Sequence, residues 1–111
     1  MTDRPRDFVG YGGNPPNAQW PGGARLALNF VLNFEEGSEP NQLDGDGYTE
    51  VGHTESPASP VPLDRRDLAA ESMFEYGSRV GFWRIHRMFQ TRDMPYTVVA
   101  CAMASARNPP A

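Results

Sequence analysis

Apolar residues along this chain concentrate in two short runs separated by a long polar connection. The first, "RLALNFVLNF" at 25–34, is bounded by Gly-Gly before and Glu-Glu-Gly after. A short, nearly continuous apolar run of this kind predicts a strand covered on both faces, as in a parallel sheet. The second, "YTVVACAM" at 96–103, follows Pro95, which forbids continuation of any preceding helix. Between them, "SMFE" at 72–75 matches a capping box, in which Ser72 and Glu75 satisfy each other's free helix-end N–H groups. A helix from there to about Arg92 aligns Phe74, Gly77, Gly81, Ile85 and Met88 on one stripe. Gly77 and Gly81 each cost that helix roughly 1 kcal/mol relative to Ala, so they are expected to allow close packing against the sheet. Strand, helical connection, strand is a β-α-β unit, with an expected right-handed crossover.

The rest of the chain is aperiodic. Residues 1–24 carry "GYGG", "NPPN" and "WPGG", a density of Gly and Pro that opposes helix and central strand alike. They are expected to form an ordered N-terminal arm anchored by Phe8, Tyr11 and Trp20. Residues 37–66 show neither helical nor alternating period, and a loop of that length in a compact domain is usually functional or disordered. The organisation expected is an arm over 1–24 and a β-α-β portion over 25–111, whose closing "SARNPPA" reads as the start of another connection.

Composition narrows the function classes. Eleven Gly and eleven Pro among 111 residues argue that the ordered part is smaller than the chain, while the aromatic content argues against simple disorder. All ten basic residues are Arg, the net charge is −4, and seven acidic residues stand between Glu35 and Glu55 with no basic one among them. That segment would repel phosphate backbones, so no nucleic-acid partner is expected. No apolar run approaches a membrane span or a signal peptide, and a cytoplasmic protein is expected. The single cysteine, Cys101, has no partner for an internal disulfide and reads as a buried thiol.

Glu35 and Glu36 are the candidate catalytic residues. Neighbours on a strand point to opposite faces, so both can face one site only if the strand ends there, which Gly37 permits. Two nearby carboxylates raise each other's proton affinity, one route to a general base near neutral pH. Asp44 to Glu55 invites comparison with a calcium loop, but Tyr48 and Thr49 stand where a ligand and the turn Gly are required. His53 and His86 have no second His at a metal-binding spacing, so no metal is expected from this chain. The aromatics of "FEY" and "FW" read as core.

Taken in order, "GYGGNPPNAQWPGGARLALNFVLNFEEGSE", "GDG" followed by an acid, "ESMFEYGSRVGFWRIHRMF", "PYTVV" and "ARNP" resemble the N-terminal part of the allantoinase type of polysaccharide deacetylase-like (NodB-homology) proteins. The resemblance runs from about Arg6 to Pro109. It implies an α/β fold, the N-terminal part of a distorted (β/α) barrel that is incomplete in this chain, with the site at the C-terminal strand ends. In the metal-dependent branch of that family the first strand ends in two Asp, a general base and a metal ligand; Glu35 and Glu36 stand at the matching positions. The longer side chains agree with the allantoinase branch, which the resemblance implies to work without a bound metal. The implied reaction is opening of the hydantoin ring of allantoin to allantoate by carboxylate-activated water, in a homo-oligomer inactive as these residues alone. The alternatives are an N-deacetylase of polysaccharide or peptidoglycan, with a divalent metal such as zinc, another cyclic imidase, or a non-catalytic chain that pairs through its unfinished sheet edge. Substrate-binding residues are not identified.

Overall fold

The computed structural model describes residues 5–56 and 59–111. The first four residues of the arm and positions 57–58 of the long loop lie outside it. Strand β1 (Val31–Phe34) pairs in parallel with β2 (Thr97–Ala100), in the register Val31↔Thr97 to Phe34↔Ala100. The connection carries helix α1 (Leu68–Tyr76), a π-helical turn (Gly77–Gly81) and helix α2 (Phe82–Thr91), and α3 (Ala102–Arg107) follows β2. This is the expected β-α-β unit.

Both strands are shorter than the apolar runs that announce them. Residues 25–29 lie before the ladder and are exposed, including Leu26 and Leu28, and β2 is exposed along its length. Covering on both faces is therefore not achieved within these residues. The second run was expected to stay extended through Met103, but the chain turns into α3 at Ala102, where Ala and Met favour helix.

The helix starts earlier than the Ser72 capping box implies. Asp67 is the N-cap: its Oδ1 accepts from the N–H groups of Ala69 at 2.9 Å and Ala70 at 3.1 Å, and its other oxygen accepts from the Ser59 hydroxyl. The Ser59 bond, followed by that from Ala70, holds the Asp67 carboxyl below its ordinary range. Ser72 sits inside the helix and donates to the Ala69 carbonyl, while Glu75 pairs with Arg79. Arg66 grips the largely buried Glu71 through two bonds of 2.9 and 2.5 Å, the main reason that the Glu71 carboxyl also lies below its usual range.

The π turn changes which residues face the sheet. A π turn accommodates one extra residue, so inward positions C-terminal to it shift by one. The expected stripe of Gly81, Ile85 and Met88 becomes Phe82, His86 and Phe89: Phe82 and Phe89 are buried, and Ile85 and Met88 are exposed. Phe82 packs its ring 4.9 Å from that of Phe34, which is 2% exposed, and Ala104 of α3 closes this small core. A second aromatic group forms at the other end of α2, where Phe89 stacks on Tyr96 at 4.6 Å and meets Phe30 at 5.3 Å. His86 lies flat over Phe82 and hydrogen-bonds the Tyr96 hydroxyl at 2.5 Å.

The arm does not use its aromatic anchors on this chain: Phe8 and Tyr11 are 78% and 74% exposed, and Trp20 is 44% exposed. The radius of gyration is 20.1 Å, against about 13 Å for a compact domain of this length. Among the described residues the sheet is this one parallel pair, with both outer edges unpaired and little enclosed core. Among the described residues, no helix is long and apolar enough to cross a membrane.

Candidate active site

Strand β1 delivers the two candidate carboxylates to one place because the ladder stops at Phe34. The Cys101 N–H donates to the Phe34 carbonyl at 2.9 Å, and beyond it residues 35–38 form a turn closed by the Ser38 N–H on the Glu35 carbonyl at 2.9 Å. Gly37 takes the third position of that turn with φ of 100°, where a side chain would be strained. The Ser38 hydroxyl also donates to the Glu35 carbonyl, and the Gly37 N–H donates to the Glu39 carboxylate at 2.5 Å. Free of strand alternation, Glu35 and Glu36 both line one open cleft of about 410 Å³.

The two carboxylates are held differently. Glu35 is exposed. Glu36 folds back, accepts the Glu35 N–H at 3.3 Å and lies against the backbone of Gly77 in the π turn. A polar and an apolar wall complete the cleft. Glu50 and His53 come from the long loop, and Phe74 and Cys101 come from α1 and the end of β2. Phe74 therefore faces the cleft and not the core. Cys101 is only partly buried, because the chain leaves the sheet at that residue.

Glu50 receives the Gly52 N–H at 2.6 Å, the chief cause of a carboxyl held below its ordinary range, and the His53 imidazole, 3.5 Å from its other oxygen, adds to this. The His53 side chain is 87% exposed. The loop that carries them is tied down by Glu50 N–H to the Pro40 carbonyl and Thr49 N–H to the Leu63 carbonyl.

Behind the site, the end of α3 acts as a clamp that sequence reasoning did not find. Arg107 donates to the Gly37 carbonyl and to Asp44, both at 2.6 Å, and Asn108 donates to the Ser78 carbonyl and hydroxyl at 3.1 and 3.2 Å. Asp44, weighed above as the first position of a calcium loop, is thus an ion-pair partner. The available signal was an Arg-Asn pair directly after a short apolar segment, which by itself points to no partner.

No family model matches the chain. A Schizosaccharomyces pombe protein provisionally named as a polysaccharide deacetylase is 41% identical over 106 residues, which cover 94% of this chain and 33% of that protein. The crystal structure of a Pseudomonas aeruginosa PAO1 protein, provisionally named in the same way, superposes with a TM-score of 0.83 at 50% identity, covering 96% of this chain and 36% of that one. The crystal structure of Puue allantoinase superposes with a TM-score of 0.83 at 49% identity, covering 97% and 36%. The chain belongs to the polysaccharide deacetylase-like superfamily. It spans about a third of the length of these superfamily relatives, which accounts for the unfinished sheet and the sparse core.

The deacetylase branch of the superfamily implies a divalent metal. The present residues do not by themselves fit one: among those described, no group of three or more His, Cys, Asp or Glu side chains is placed to hold a metal ion. Glu36 is the one candidate ligand that the resemblance assigns, and it is turned onto the π turn.

Proposed function

We propose that these residues form one wall of the active site of an allantoinase, a cyclic-amide hydrolase, within a longer protein. The observation that carries this reading is the pair of Glu side chains freed from strand alternation at the C-terminal end of β1 and lining one cleft. Glu35, exposed and held only through its backbone, takes a proton from water as it attacks the hydantoin carbonyl. A carbon–oxygen bond forms, the ring C–N bond breaks, and the departing nitrogen takes a proton, so one water is consumed and a ureido acid is released. Glu36 stands beside Glu35 as the second carboxylate of the site.

The 49% identity to Puue allantoinase supports this reading, and the 50% identity to the Pseudomonas protein keeps an N-deacetylase as the second. The two separate in an assay of the native gene product carrying this chain. An allantoinase opens allantoin at a rate unchanged by a chelator and leaves N-acetylated sugars intact. Release of acetate from such sugars, lost on chelation and restored by zinc, would replace the allantoinase reading by the deacetylase one.

A further inference from the structure

Gly77 and Gly81 are spaced one helical turn apart, yet their surroundings differ. A Cβ built on Gly77 would stand 2.6, 2.7 and 2.8 Å from Cγ, Oε1 and Cδ of Glu36, distances that real side chains do not tolerate. A Cβ on Gly81 would meet nothing nearer than 3.7 Å, an ordinary contact with the Tyr76 carbonyl. The Glu36 side chain therefore occupies the volume that any other residue at position 77 would fill. We infer that Gly77 is a positioning residue for Glu36, and that the π turn exists to bring this backbone under the second carboxylate. The inference rests on the reading of Glu35 and Glu36 as the catalytic pair.

Three observations converge on it. Gly77 opens the π turn, and π turns of this kind are frequent at functional sites. The obstructing atoms belong to a flexible side chain, so an Ala at 77 displaces Glu36 and leaves the helix standing. The clamp from α3 fixes both partners, because Arg107 holds the carbonyl of Gly37, next to Glu36, and Asn108 holds Ser78, next to Gly77. Displacing Glu36 also removes the acceptor of the Glu35 N–H, so the disturbance reaches the first carboxylate.

The test is a double-mutant cycle on the native gene product, with kcat, KM and thermal unfolding measured for Gly77→Ala, Gly81→Ala, Glu36→Ala and the Gly77→Ala/Glu36→Ala pair. Gly77→Ala is expected to lower kcat about ten- to hundredfold with KM and melting temperature little changed, as a misplaced catalytic group does. Gly81→Ala should stay within about twofold of native. On the Glu36→Ala background, where the obstructing atoms are gone, Gly77→Ala should add nothing. If Gly77→Ala fails to fold, the pair should fold. The inference is overturned if Gly77→Ala retains native kcat while Glu36→Ala is impaired. It is also overturned if Gly77→Ala costs as much activity, or as much folding, with Glu36 truncated as with it present. An unchanged kcat for Glu36→Ala would instead sink the catalytic-pair reading itself, and the positioning role with it.

Discussion

Replacing Glu35 by Gln is expected to lower kcat for hydrolysis by about two to four orders of magnitude, the usual contribution of a positioned general base. Gln keeps the size of the side chain but cannot accept a proton at neutral pH. The bonds that build the turn, from the Ser38 hydroxyl to the Glu35 carbonyl and from Arg107 to the Gly37 carbonyl, do not involve the substituted carboxylate. Folding and KM should therefore change little. Steady-state kinetics checks this. A loss of less than about threefold would remove Glu35 from the chemistry.

The second large effect concerns stability. Phe34→Ala should destabilise the protein by about 3 to 5 kcal/mol, because it deletes the most buried aromatic of the small core and leaves Phe82 and Ala104 facing a void. The drop in melting temperature should be on the order of 10 °C. Phe34 also carries the carbonyl to which Cys101 docks, one residue before Glu35, so activity should fall together with stability. Glu75→Ala, which removes only an exposed ion pair with Arg79 on α1, should cost less than about 1 kcal/mol. Thermal unfolding of both variants decides it; equal losses would mean that Phe34 is not the centre of this core.

The parallel unit was legible because its strands are apolar runs bounded by strong breakers, Gly-Gly and Gly37 around the first and Pro95 before the second. The end of β1 at the glutamate pair was legible for the same reason. The phase of the helix was not: a periodicity of 3.6 carries no sign of the π turn, so it selects Ile85 and Met88 where the structure buries Phe82 and Phe89. Asp67 was overshadowed as the cap by the more complete Ser72–Glu75 pattern, although its own side chain makes the two bonds that start the helix. The run ending in "CAMA" is apolar enough for strand or helix, and its Ala content was the cue for α3. In the site, Glu50 and His53 come from an aperiodic loop whose folding depends on contacts distant in sequence. The contact between Glu36 and Gly77 could not be read either, since it requires the π turn.

The central claim, that the carboxylate pair at the end of β1 is where a cyclic amide is hydrolysed, is tested most directly by a crystal structure of the native gene product with a hydantoin-ring ligand that resists opening. The account predicts the ring in the cleft above the ends of β1 and β2, with its carbonyl carbon facing a water held by Glu35 and with Glu36 still seated on Gly77. A ring bound elsewhere, with neither glutamate touching it or its water, would contradict the account.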